Sequence, residues 1–190
     1  MNWLFGKITD LTPEQYEAVF LSLSHSRRAR ISRIKKEDSR HRSLMATYLV
    51  QKLLKEMGYE NVTLETAEDG RPYLKGCDLF VSISHSHEGV VCAISEQEVG
   101  IDIEKIQPVR IGLIQYVCTP QERACILSDL SGDKNEMAEE SVAKKFLAVW
   151  TAKEAYFKKS GSGITDIRSI DTLSFAKQVF YQDDFLITVV

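Results

Sequence analysis

Hydrophobic and polar positions recur along this chain with two different periods, and the change of period divides it. Through the first sixty residues the period is helical. Thr12-Pro13-Glu14-Gln15 reads as a helix start, with threonine as N-cap, proline in the first turn and glutamine at the capping-box position. Tyr16, Val19, Phe20 and Leu23 follow at i, i+3, i+4 and i+7, one apolar stripe. A second helix is predicted from about Asp38 to Met57 on Leu44, Tyr48, Leu49 and Leu53, with Gly58 as its left-handed stop. Glu68-Asp69-Gly70-Arg71-Pro72 reads as a turn.

Beyond that turn the period becomes two. Leu79, Val81 and Ile83 alternate with Phe80, Ser82 and Ser84, which predicts a strand; His85 to Gly89 reads as a loop, and Val90 to Ser95 as a returning strand. Val99, Ile101 and Ile103 alternate with Gly100, Asp102 and Glu104 in a third strand. Thr119-Pro120-Gln121-Glu122 repeats the first capping signature and opens another helix. An acidic, polar connection from Ser128 to Glu140 leads to a long helix from about Glu139 to Lys159, stopped by Ser160-Gly161-Ser162-Gly163. Phe175 to Val190 reads as strands around a turn near Gln182-Asp183-Asp184. Helices segregated from antiparallel strands make an α+β chain.

Composition narrows the class. The 190 residues are 44% hydrophobic and 27% charged, which excludes a wholly disordered chain. Apolar runs such as Val90 to Ile94 fall far short of the ~18 residues a membrane helix needs. The opening M-N-W-L-F-G-K-I-T-D does not read as a secretory signal. Cys77, Cys92, Cys118 and Cys125 contain no C-x-x-C pair, so reduced thiols and a cytoplasmic location are expected. Net charge is −3, but Arg27 to Arg42 holds eight Lys/Arg against Glu37 and Asp38, a local +6 on a remainder of −9. Such a patch suits a phosphate-bearing ligand or an acidic partner, or is a solvated helix surface.

Three features bear on chemistry. Asp102 and Glu104 stand at i and i+2 of a strand, so both carboxylates leave the same face while Val99, Ile101 and Ile103 anchor the other. Like charges so placed repel unless a cation lies between them or one is protonated, and oxygen-only ligands favour Mg²⁺ or Mn²⁺. The plain alternative is an edge strand with a solvated polar face. Glu154 and Lys158, at i and i+4 of the long helix, offer a third acid and an ammonium, or a surface ion pair of small value. Ser84 and His85, at a strand end, could donate to phosphate oxygens; no G-x-S-x-G elbow makes Ser84 a nucleophile.

Taken in order, G-R-P (Gly70 to Pro72), F-V-S-I-S-H-S (Phe80 to Ser86), V-G-I-D-I-E-K (Val99 to Lys105) and W-T-A-K-E-A-Y-F-K (Trp150 to Lys158) resemble the 4′-phosphopantetheinyl transferases. They are closer to the large monomeric kind that activates peptide and polyketide synthases, named for the surfactin synthetase activator. The resemblance runs from about Ser24 to Ile164. It implies two similar α+β halves in one chain, residues 1–98 and 99–190, with the active site in the cleft between them. It implies that Asp102, Glu104 and Glu154 bind Mg²⁺ together with the coenzyme A pyrophosphate, and that Lys158 neutralises phosphate charge. Ser84 and His85 match a motif contacting the coenzyme's phosphates, and Gly70, Arg71 and Pro72 match a G-K-P turn at the nucleotide, with arginine for lysine. Arg27, Arg30 and Arg42 fall where the family has basic residues facing the 3′-phosphate. The implied reaction moves the phosphopantetheinyl arm of coenzyme A to a serine of an acyl- or peptidyl-carrier protein and releases 3′,5′-ADP. Glu154, Glu122 or a water on the metal takes the serine proton, Glu122 being also a capping residue. Only 27 residues follow Gly163, fewer than relatives carry, so a shortened second half is expected. The expected state is a monomer without nucleic acid or membrane. The rival readings are a non-catalytic phosphate- or nucleic-acid-binding module using the basic patch, and a degenerate transferase that binds coenzyme A without turnover.

Overall fold

In a computed structural model, which describes residues 1–128, 138–161 and 166–190, the chain divides into two compact units, Met1–Gly100 and Ile101–Val190. Most of the acidic connection, 129–137, and the Ser162 and Gly163 of the expected helix stop lie outside the described residues.

The first unit opens with β1 (Asn2–Lys7), followed by helices α1 (Pro13–Ser22), α2 (His25–Ser32) and α3 (Glu37–Glu56). A two-stranded ribbon, β2 (Thr63–Thr66) with β3 (Pro72–Lys75), precedes the hairpin β4 (Phe80–Ser86) and β5 (Gly89–Ser95). The main sheet has the order β1-β5-β4, every pair antiparallel. β5 is therefore central, and Val90 to Ile94 are wholly buried. The α3 face of Leu44, Met45, Leu49, Val50, Leu53 and Leu54 belongs to the same core. At Gly6 a Cβ would meet the end of the Met45 side chain, which would have to swing aside for β1 to keep its approach to α3. The α1 capping box forms as read, with Thr12 and Gln15 each accepting from the other's backbone N–H.

The expected loop from His85 to Gly89 is much shorter. Ser86 pairs with Gly89, His85 and Ser86 belong to β4, and the turn is His87-Glu88 with His87 at φ 52°. Two-residue hairpin turns that match strand twist need positive φ, which is why so few residues suffice.

The second unit runs β6 (Ile101–Lys105), α4 (Ile111–Val117), α5 (Pro120–Leu127), α6 (Glu140–Ser160), a 3₁₀ turn at Ile167–Ser169, then β7 (Gln178–Gln182) and β8 (Phe185–Val189). Its sheet has the order β6-β8-β7, again antiparallel, with the buried β8 in the centre. The third strand thus starts at Ile101 rather than Val99. Gly161 ends α6 at φ 66° with its N–H returned to the Phe157 carbonyl, the left-handed stop expected there. Phe146, Leu147, Val142, Ile114 and Ile126 join α4, α5 and α6 into one core with Leu186 of β8. Among the described residues no helix is long and apolar enough to cross a membrane.

Candidate functional site

The second unit builds an acidic face. Ile101 and Ile103 are buried to 0% and 1% exposure, as their alternation requires. The opposite face of β6 is covered too. Asp102 is only 5% exposed and Glu104 is half-buried, so the solvated polar edge considered above is not what forms. α6 lies over that face and presents Glu154 and Lys158 to it. The Lys158 ammonium donates to Asp102 Oδ1 at 2.6 Å, bridging helix to sheet rather than pairing along the helix with Glu154. Burial raises the Glu154 carboxyl above the ordinary carboxylate value; Asp102 and, less strongly, Glu104 push it the same way, while Lys158 opposes them. Three carboxylates thus sense one another across this face, with one ammonium among them.

The donor set fits a hard divalent cation: it is oxygen only, and its mutual repulsion is relieved by positive charge. Among the described residues no three acidic, histidine or cysteine side chains stand as a ready ligand cluster. The positive charge on this face is the Lys158 ammonium, held by Asp102.

Five residues before Lys158, a second lysine enters a different kind of site. Lys153 is fully buried and lies 2.8 Å from Glu122 Oε2, while its ammonium also donates to the Val117 carbonyl at 2.9 Å. Glu122 closes the α5 capping box by accepting from Thr119 N, and its other oxygen accepts both the N–H and the hydroxyl of Thr172, at 2.8 and 2.9 Å. Burial alone would raise the Glu122 carboxyl; the bonds from Lys153, Thr172 and Thr119 prevail and hold it below its ordinary value. Every lone pair it could offer a proton is engaged, which removes Glu122 from the candidate bases and makes it a brace. The capping motif was legible in sequence, but Lys153 was not, because 31 positions separate the partners.

In the first unit the basic residues separate by task. Arg27 donates from Nε and Nη2 to Thr47 and from Nη1 to Thr66, joining α2 to α3 and β2. Burial lowers the Arg27 guanidinium below its ordinary value, with Glu65 opposing and Arg30 reinforcing the shift. Arg30 is exposed and, with Ser26, Arg27, Arg33, Glu65 and Thr66, lines a cavity of about 330 Å³. Arg42 donates to the His87 carbonyl and to Ser39, tying α3 to the β4–β5 turn. Arg28 donates to the Leu21 and Leu23 carbonyls. Arg71 forks onto Asp69 across the turn, where Gly70 takes φ 90° and Pro72 begins β3. Ser84 is buried and His85 exposed, adjacent on β4.

The profile of the 4′-phosphopantetheinyl transferase superfamily matches residues 98–187, which span the β6 acids and the whole of α6. Similar curated proteins include 4′-phosphopantetheinyl transferase Sfp of Bacillus subtilis, 27% identical over 82% of this chain, and gsp of Aneurinibacillus migulanus, 35% over 65%. The chain is therefore similar to the 4′-phosphopantetheinyl transferase superfamily, by that profile over its second unit and by these relatives over most of its length. A third relative, 4′-phosphopantetheinyl transferase psf-1 of Bacillus pumilus, is 30% identical over 80% of the chain. The chain spans 67%, 50% and 64% of the lengths of these three relatives.

Proposed function

We propose that this chain is a 4′-phosphopantetheinyl transferase acting on coenzyme A and an apo acyl- or peptidyl-carrier protein. The observation that carries the reading is the acid face, where Asp102, Glu104 and Glu154 sense one another and Lys158 bridges helix to sheet at 2.6 Å. In the reaction a carrier serine oxygen attacks the β-phosphorus of coenzyme A. The bond from that phosphorus to the bridging oxygen breaks, the phosphopantetheinyl arm passes to the serine, and 3′,5′-ADP leaves with the bridging oxygen.

Asp102, Glu104 and Glu154 would hold a divalent cation, Mg²⁺ first and Mn²⁺ as substitute, which when bound supplies charge stabilisation to the pyrophosphate. Lys158, turned from Asp102 to phosphate, neutralises charge growing on the transferring group. Glu154, whose proton affinity its surroundings raise, takes the serine proton. Arg30 takes the 3′-phosphate in the α2 cavity, Arg27 and Arg42 shape its walls and the neighbouring hairpin turn, and Ser84 and His85 donate to phosphate oxygens. Gly70, Arg71 and Pro72 line the nucleotide site. The two units serve as similar halves of one catalytic chain. Their main sheets share the order in which the last strand is central and the first pairs with it, which supports this. The protein works as a cytoplasmic monomer.

A nucleic-acid-binding reading of the basic segment is the weaker one. Arg27, Arg28 and Arg42 already donate to internal oxygens, which leaves fewer guanidinium groups for a phosphate backbone. The deciding experiment incubates the protein with coenzyme A, Mg²⁺ and an apo carrier protein, then weighs the carrier. A carrier heavier by one phosphopantetheinyl arm, and unchanged when excess chelator is present, is the expected result. An unmodified carrier under all conditions would refute the transferase.

A further inference from the structure

Thr151 and Thr188 are both wholly buried, and their hydroxyl oxygens lie 2.6 Å apart. Thr151 stands on α6 and Thr188 on the central strand β8. The direction of the bond follows from a second contact: Thr151 Oγ1 donates to the Leu147 carbonyl at 2.8 Å. A hydroxyl has one proton, so Thr151 can only accept from Thr188, and Thr188 is the donor.

Both residues sit in register with the acid face. Thr188 is the cross-strand partner of Asp102, and directly opposed residues share one face of a sheet. Thr151 precedes Glu154 by three positions and Lys158 by seven, so the three form one stripe along the helix. One hydroxyl bond therefore joins the helix stripe that carries Glu154 and Lys158 to the sheet position that carries Asp102. Apolar packing holds α6 on the sheet but is not directional; this bond is, and it lies on the stripe rather than beside it.

We infer that the Thr188–Thr151 hydroxyl bond is the positioning device of the acid–lysine face, fixing how far along β6 and β8 the α6 carboxylate and ammonium fall. Neither threonine touches reacting atoms. The inference rests on the transferase reading for its kinetic consequence, and on the Asp102–Lys158 bond for its geometric one.

The direction of the bond selects the variant. Thr188→Val removes the donor and leaves Thr151 still bonded to Leu147, so no buried proton is orphaned. Thr151→Val strands the Thr188 proton in a fully buried site and destabilises the fold more. In Thr188→Val the turnover number should fall at least tenfold at saturating coenzyme A and Mg²⁺, with KM for coenzyme A and the urea midpoint little changed. Thr188→Ser, which keeps the donor, should restore turnover. Unaltered turnover in Thr188→Val, or a loss that Thr188→Ser does not recover, overturns the inference.

If wild type proves to have no transferase activity, the proposed function fails and the geometric half is still testable. The coupling between Asp102→Asn and Lys158→Met in urea unfolding should be measurable in the Thr188 protein and lost in the Thr188→Val background. Equal coupling in both backgrounds refutes positioning.

Discussion

Lys153 and Lys158 stand five residues apart on α6, each with its ammonium within 3 Å of a carboxylate oxygen, at 2.8 and 2.6 Å. At about 100° per residue they project roughly 140° apart around the helix. Lys153 points into the α4–α5 side, where both partners are fully buried and Val117, Thr119 and Thr172 complete the bonding. Lys158 points to the β6 face, is 30% exposed, and meets one of several carboxylates that repel one another. Saturation separates the two. A saturated buried pair holds elements together and has no capacity for a ligand; an ammonium shared among excess acids and open to water can be exchanged.

The largest effect that tests this contrast is on folding. Lys153→Met leaves Glu122 buried without its counter-charge and should cost about 3–5 kcal/mol in urea unfolding. Combining it with Glu122→Gln should recover a large part of that loss. If Lys153→Met is tolerated, Glu122 does not brace α5 against α6.

Lys158→Ala should do the reverse. Its stability cost should stay below about 1 kcal/mol, since the ammonium is partly solvated, while turnover with coenzyme A falls about a hundredfold from loss of charge stabilisation. Steady-state kinetics beside a denaturation curve read both, and a variant that unfolds but keeps its rate would invert the comparison.

The same distinction divides the arginines of α2. Arg30→Ala should weaken coenzyme A about tenfold, ~1.4 kcal/mol, and leave the affinity for dephospho-coenzyme A unchanged, as calorimetric titration would register. Arg27→Ala should weaken both coenzymes alike, because its loss loosens α2 itself. Equal losses for Arg30→Ala on the two coenzymes would remove the 3′-phosphate from this cavity.

The smallest effect is acid dependence. The folded Glu122 carboxyl lies below its unfolded value of 4.5, so its stabilisation is complete above that value and disappears as pH falls through the folded one. Unfolding of wild type and Glu122→Gln should therefore converge as pH falls below 4.5. Glu154, shifted the other way, contributes equally to both proteins and cancels. A gap that stays constant across the range would mean Glu122 titrates normally.

What the sequence disclosed and withheld follows from the range of each interaction. Both capping boxes, the αL stops after α3 and α6, and the alternation of β6 are encoded within a few residues, and all appear in the structure. β1, with the run N-W-L-F-G-K, carries no clean alternation, and its partner β5 lies far along the chain, so no local pattern marks it. Nothing local marks α2 either, since Ile31 is its only buried residue and eight largely polar positions offer no apolar stripe. The ribbon of β2 and β3 is four residues a side, too short for a period to register. At the acid face the motif residues were legible, but that Lys158 would choose Asp102 over its helical neighbour Glu154 depends on where α6 crosses β6. No spacing records that, just as none records Thr188 opposite Asp102.

The shared sheet order also has a kinetic side. In each unit the strand made first pairs with the strand made last: Asn2 with Ile94, and Ile101 with Val189. The hairpins β4–β5 and β7–β8 close over a few residues and can form early, whereas docking β1 or β6 requires closure of nearly the whole unit. On the ribosome β1 therefore emerges long before the edge that will accept it, and waits unpaired until β5 has been synthesised. A destabilised β4–β5 turn, where His87 holds its positive φ, would lengthen that wait and slow the first unit's folding even where the finished fold was scarcely weakened.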